Sequence, residues 1–317
     1  MPKTSLRRCA TALAAALAGA LALAGCGGVQ VAGGASARAA EDDGRPVVLT
    51  TFTVLADIAR EVAGDDLRVE SITKVGAEIH GYEPTPGDIQ RAADADLILD
   101  NGLGLEAWFA QFVESVDAPH VVVSEGVEPV DIAGDAYAGR PNPHAWMSPV
   151  IARSYVDTIA AAFAELDPDG AEGYVERAEA YKAEIQGVQD ELAGALAGLP
   201  PEHRVLVTCE GAFSYLARDV GLEEVYIWPV NAEQQATPQQ IAQVIERVEA
   251  DRVPAVFCES TVSDRPMQQV VEATDAAFGG TLYVDSLSEA DGPVPTYLDL
   301  IRYDARTIVD GLTGQGS

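Results

Sequence analysis

The order of apolar runs predicts an α/β protein of two lobes, each a parallel sheet flanked by helices, joined by one long rigid helix. Three observations carry this prediction. Short β-rich runs alternate with amphipathic stretches from Pro46 to Val123; the alternation gives way to a single helical stripe before Pro200; and it resumes at Val205. Parallel strands need a long crossover, which a helix supplies, so repeated strand–helix–strand units imply a parallel sheet with covered faces.

In the first lobe Val47–Phe52 reads as a strand, Val54–Gly64 as an amphipathic helix ending on a glycine, and Leu67–Thr73 as the next strand. Pro86–Ala95 reads as a helix with proline in its first turn, where the missing N–H costs nothing. Leu97–Leu99 is a buried strand, Leu105–Val116 a helix and His120–Val123 a strand. Residues 124–148 form a Gly- and Pro-rich loop, and loops of that length are usually functional. Pro149–Leu166 is helical. Pro168–Leu199 carries apolar residues at 171, 174, 175, 178, 181, 185, 188, 192, 196 and 199. That stripe predicts one helix about 45 Å long, which Pro200-Pro201 ends. In the second lobe the strands are Val205–Cys209, Glu224–Ile227, Ala255–Cys258 and Thr281–Val284. Its helices are Ala212–Val220, Pro238–Ala250, Pro266–Ala277 and Pro295–Leu312. The lobes therefore span residues 46–167 and 201–317, with 168–200 as the linking helix.

Ahead of the lobes, Lys3, Arg7 and Arg8 precede an Ala/Leu/Gly run over residues 10–25. The run is shorter than the ~20 residues a spanning helix needs, and it suits a signal peptide. It ends Leu23-Ala24-Gly25-Cys26, which resembles a bacterial lipobox. Residues 1–25 thus read as a lipoprotein signal peptide, Cys26 as the lipidated first residue, and 26–45 as a flexible tether to the outer face of the cytoplasmic membrane. Cys9 leaves with the signal, so Cys209 and Cys258 remain. They end two short buried runs in parallel phrases, Thr208-Cys209-Glu210 and Phe257-Cys258-Glu259. If those strands are neighbours the cysteines could bridge, since disulfides persist outside the cytoplasm; otherwise they are two buried thiols.

The chain has 20 Lys+Arg against 50 Asp+Glu, a formal charge of -30, which becomes -33 once residues 1–25 are removed. Such a chain repels phosphate backbones and anionic lipid, which argues against nucleic-acid binding and electrostatic membrane binding. Its 48% apolar content argues against disorder. An acidic surface suits a cationic ligand, but more often it simply keeps a monomer soluble.

Open parallel sheets bind ligands at the carboxyl ends of their strands. His80 follows strand Leu67–Thr73, His144 ends the long loop, Glu210 follows Val205–Cys209 and Asp285 follows Thr281–Val284. Two imidazoles and two carboxylates, two from each lobe, form a complete set for a divalent transition metal in the cleft between lobes. Each residue alone has another reading: a surface histidine, or for Glu210 and Asp285 a helix cap or turn. His120 and His203 sit beside Pro119 and Pro201 at the opposite sheet edge and read as structural. No Ser nucleophile elbow, HExxH or phosphate loop appears, so an enzyme is not expected.

Five phrases carry a family resemblance. They are Val75-Gly-Ala-Glu-Ile-His80-Gly-Tyr-Glu-Pro84, Asn142-Pro-His-Ala-Trp146, Thr208-Cys-Glu-Gly-Ala-Phe213, Ile227-Trp-Pro-Val-Asn231 and Cys258-Glu-Ser-Thr261 through Asp264-Arg-Pro266. Over residues 46–313 the chain resembles the metal-binding lipoproteins of ABC importers of manganese, zinc and iron. The resemblance implies two α/β lobes on a rigid helix, with His80, His144, Glu210 and Asp285 as ligands to the metal between them. It implies an ABC permease and its ATPase as partners. Zinc-type members have a histidine where Glu210 stands and often a His-rich loop, so the resemblance favours Mn²⁺, with Zn²⁺ or Fe²⁺ as alternatives. Because ligands must be deprotonated, metal capture is expected to weaken as pH falls through histidine titration.

Overall fold

In the computed structural model the described residues are 44–314, apart from 110–111, 113–115, 135–136 and 231–235. The expected signal peptide, Cys26 and nearly all of the tether lie outside them. The first lobe is built on β1 (Val47–Thr50), β2 (Arg68–Ser71), β3 (Leu97–Asp100) and β4 (His120–Val122), all parallel, in the spatial order β2–β1–β3–β4. Helices α1 (Thr53–Ala63) and α2 (Pro86–Ala93) supply crossovers. Helix α2 begins where Thr85 and Asp88 satisfy each other's backbone N–H in a capping box. Of the expected helix Leu105–Val116, residues 103–108 are turns, and Phe109 and Phe112 are helical.

Helix α3 (Pro149–Leu166) leaves the loop through a Ser148 cap and Pro149. The linking helix opens as a single 3-10 turn over Pro168–Gly170 before α4 (Ala171–Leu196) becomes regular. At 1.5 Å per residue α4 is about 39 Å long. Its buried residues, among them Tyr174, Ala178, Tyr181, Ile185, Val188, Leu192 and Leu196, follow the expected stripe, whereas Val175 is 54% exposed. The stripe packs on α1 of the first lobe and on α8 (Tyr297–Thr313) of the second, so one rigid element braces both. Arg177 on α4 donates to the carbonyls of Val62 (2.7 Å) and Ala63 (3.0 Å), closing the C-terminus of α1.

The second lobe holds β5 (Val205–Glu210), α5 (Ser214–Val220), β6 (Glu223–Trp228), α6 (Pro238–Asp251), β7 (Ala255–Glu259), α7 (Arg265–Ala273) and β8 (Ala277–Leu282), then α8. Its strands pair as two parallel ribbons, β5–β6 and β7–β8. The ribbons meet where Cys209 and Cys258 are bonded, with Cα atoms 4.8 Å apart.

The structure moves one expected strand. Thr281–Val284 becomes Ala277–Leu282, and helix Pro266–Ala277 stops at Ala273. The Thr274 hydroxyl bonds back to the Val270 carbonyl (2.9 Å) and accepts from Ala276 N (3.3 Å), which turns the chain out of the helix. Within the strand Gly279 serves packing, because a Cβ there would stand 2.4 Å from the Phe257 ring.

Candidate metal centre

His80 lies in the loop between β2 and α2, and His144 at the start of a 3-10 turn (Ala145–Met147) that leads into α3. Glu210 is the last residue of β5 rather than the residue after it. Asp285 stands three residues beyond β8. All four come from strand C-terminal ends or the loops that follow, and the structure brings them together with donor atoms within 4.8 Å of one another. Glu210, Asp285 and His144 are fully buried, and the His80 side chain is 4% exposed.

Glu210 is not a helix cap. Helix α5 starts only at Ser214, and Glu224 accepts from both Phe213 N and the Ser214 hydroxyl there. Asp285 Oδ2 accepts from Thr261 Oγ1 (3.3 Å) while its Oδ1 faces the imidazoles. His120 Nε2 lies 3.7 Å from Asp100 Oδ1 on β3, and His203 ends a 3-10 turn; neither belongs to the cluster. A second acid–thiol group, Cys209, Cys258 and Glu259, is excluded as a metal set because its sulfurs are bonded to each other.

The distances define a small polyhedron. His80 Nε2 is 3.1 Å from His144 Nε2, 3.4 Å from Glu210 Oε1 and 4.0 Å from Asp285 Oδ1. His144 Nε2 is 3.5 Å from Glu210 Oε1 and 3.9 Å from Asp285 Oδ1. The centre of a tetrahedron with edges of this size lies about 2.2 Å from each corner, which is metal–ligand bond length for N and O donors. Burial pushes the His144 imidazole down to about 3, and burial with the neighbouring His144 pushes His80 well below the usual value. Both rings are therefore neutral at neutral pH and offer lone pairs. Two carboxylates beside them supply the charge that a buried 2+ ion needs.

Sequence reasoning assigned no role to the side chains that hold these donors. Asn142 Oδ1 faces His144 Nδ1, while its Nδ2 donates to Gly211 O (2.6 Å). Trp146 packs beside His144, ring centroids 5.2 Å apart, and donates its Nε1–H to Val284 O across the lobes (3.1 Å). Glu259 accepts from Glu210 N (3.0 Å), and burial together with Glu210 and Asp285 raises its carboxyl well above the ordinary range. Asn142, Trp146 and Glu259 all stand inside the motif phrases, but a lone sequence does not say which neighbour each would meet.

Two α/β lobes braced by one helix, with a buried His₂–carboxylate₂ cluster between them, define a metal-binding solute-binding protein rather than an enzyme. The chain belongs to the family described as zinc-uptake complex component A, periplasmic, which it matches over residues 48–311, the solute-binding proteins of ABC metal importers. It is 53% identical over 265 residues to the iron-binding protein YfeA of Yersinia pestis, covering 83% of this chain and 85% of that one. It is 33% identical over 273 residues to the manganese ABC transporter substrate-binding lipoprotein PsaA of Streptococcus mitis, covering 84% and 88%. A solved Mn-bound periplasmic metal-binding protein from Candidatus Liberibacter asiaticus superposes with a TM-score of 0.80 at 37% identity, covering 84% of this chain and all of that one.

Proposed function

We propose that this protein captures a divalent first-row metal outside the cytoplasm, Mn²⁺ in first place, and delivers it to an ABC permease whose ATPase drives import. The observation that carries the proposal is the convergence of His80, His144, Glu210 and Asp285 on one buried point at metal–ligand distance. In this reading the four residues are the ligands, the lobes of residues 46–167 and 201–317 hold two each, and the helix of 168–200 sets their separation. Glu210 in place of a third imidazole makes the site harder and supports manganese or iron over zinc. The named metals of the relatives, iron for one and manganese for others, support the same pair. Cys26 would carry lipid and tether the monomer at the outer face of the membrane.

The test is metal content after expression without added metal, with an anomalous-edge scan of crystals. Manganese or iron bound through the four named residues is the expected result. Coordination by other residues overturns the site, and zinc alone in a second preparation, expressed with added manganese, overturns the cargo. A tighter Zn²⁺ affinity in vitro does not, because Zn²⁺ outranks Mn²⁺ at most N/O sites.

A further inference from the structure

Strands β5 and β7 end in the same dipeptide, Cys209-Glu210 and Cys258-Glu259, and the proposed function uses only Glu210 of these four residues. The strands belong to different ribbons, so their hydrogen-bond ladders run to β6 and β8. Two links one residue apart join them at the site: the Cys209–Cys258 bond, and the hydrogen bond from Glu210 N to Glu259 Oε2 at 3.0 Å. All four residues are buried.

Glu259 is an expensive residue for a purely structural place. The residue is 2% exposed, its carboxyl lies near the acids Glu210, Asp285 and Asp304, and Oε1 is buried without a hydrogen-bond partner among the described residues. It also stands outside the donor cluster, so it is not a fifth ligand. What it does is fix the peptide plane of Glu210. The Thr208 hydroxyl donates to Glu210 O (2.7 Å), so both backbone polar groups of Glu210 are held by side chains at known positions.

We infer that Glu259, together with the Cys209–Cys258 bond, is a positioning element for Glu210 that aims its carboxylate into the cleft and sets the affinity of the site. The inference rests on the proposed metal site. Its physical basis is preorganisation: a carboxylate ligand whose backbone is clamped from two sides loses little freedom when it meets the ion, and such outer partners are worth about 10–100-fold in metal affinity. What is required of Glu259 is an acceptor oxygen, which a glutamine also provides.

The experiment compares Glu259→Gln, Glu259→Ala and the double variant Cys209→Ala/Cys258→Ala, with Asp285→Ala as control. Affinity for Mn²⁺ is read by chelator competition, and site geometry by the visible spectrum of bound Co²⁺. Glu259→Gln should keep wild-type affinity and spectrum. Glu259→Ala should lose about 10–100-fold in affinity and change the Co²⁺ spectrum, and the cysteine pair should move both in the same direction. Wild-type affinity and spectrum in Glu259→Ala overturn the inference, as does an equal loss in Glu259→Gln. Should Glu259→Ala fail to fold, an unchanged Co²⁺ spectrum in the cysteine variant overturns it instead. Loss of binding in Asp285→Ala with none in the other variants sinks this inference alone, whereas full binding in Asp285→Ala sinks the metal site itself.

Discussion

Asn142 Oδ1 accepts from His144 twice, from the ring Nδ1 at 2.8 Å and from the backbone N at 3.0 Å. The amide cannot be turned round, because its Nδ2 donates to Gly211 O and to Ser214 Oγ. Nδ1 therefore carries the proton, and Nε2 turns a bare lone pair toward Glu210 and Asp285. One side chain of the first lobe thus sets the tautomer of His144 and grips the turn that follows Glu210 in the second.

Asn142→Ala should weaken metal binding by about 10–100-fold, the usual worth of a partner that orients a ligating histidine. Chelator competition on the purified variant checks this. An unchanged affinity would mean that packing against Trp146 alone orients the ring.

The pH profile of metal capture should show no imidazole step near 6.5. Sequence alone predicts that capture weakens through ordinary histidine titration, but burial moves that titration well below the usual range, to about 3 for His144. The ion then displaces no ring proton at neutral pH. The same depression has a cost for the metal-free protein: the unfolded chain protonates these rings first, so their contribution to stability is lost as pH falls below about 6.5. Affinities measured from about pH 8 to about pH 5.5 test the first point, and a two-proton slope centred near 6.5 would refute it.

Glu106 should make the fold less stable in base. Its carboxylate accepts from Thr51 Oγ1 (2.7 Å) and Asn101 N (2.8 Å), yet burial, reinforced by Asp100, raises it to about 7. A folded-state value above the unfolded one gives stability that is complete below about 4.5 and lost as pH rises through about 7. Glu106→Gln keeps an acceptor for both donors and removes the charge. Its melting temperature should fall less than that of the wild type between about pH 6 and pH 8. The gain at the upper end is at most about 3 kcal/mol, reduced because Gly102 N, which donates to Glu106 Oε2 at 3.3 Å, would face an amide in the variant.

Joining Cys209 to Cys258, 49 residues apart, should stabilise the fold by up to about 4 kcal/mol in the chain-entropy picture. Replacing both with alanine and titrating with urea measures this. A change under about 1 kcal/mol would mean that the unfolded chain already holds the ribbons together.

Binding should leave the radius of gyration unchanged within the error of solution scattering. Helix α4 braces both lobes, and direct bonds cross between them: Leu287 N to Thr53 Oγ1 (3.0 Å), Tyr297 N to Asp57 Oδ2 (2.7 Å), and Gly76 N to Ser286 Oγ (2.7 Å) beside Asp285. The loop that carries His80 is exposed from Lys74 to Gly76, yet Gly76 itself is tied to the second lobe through Ser286. A contraction of several ångström would show hinge closure instead.

Periodicity made most of the elements legible. Helix α3 runs over Pro149–Leu166 as read from the sequence, and most strands shift by one or two residues at their ends. The failures share a cause. The strand read at Thr281–Val284 forms instead at Ala277–Leu282, where Gly279 leaves room for the Phe257 ring, and Val175 looks like core until the helix is seen to turn it outward. Both depend on what lies opposite, which is information at long range.

The site divides in the same way. By itself the sequence determined the lobes, the linking helix and the candidates His80, His144, Glu210 and Asp285, because strand ends and motif order are local properties of the chain. Only the tertiary structure decided that four donors spread over about two hundred residues of chain stand around one buried point, that Asn142 fixes the His144 tautomer, and that Glu259 rather than a helix end holds Glu210. The reason is physical. Burial and hydrogen bonding set protonation, direction and charge, and they arise only when two lobes close on each other.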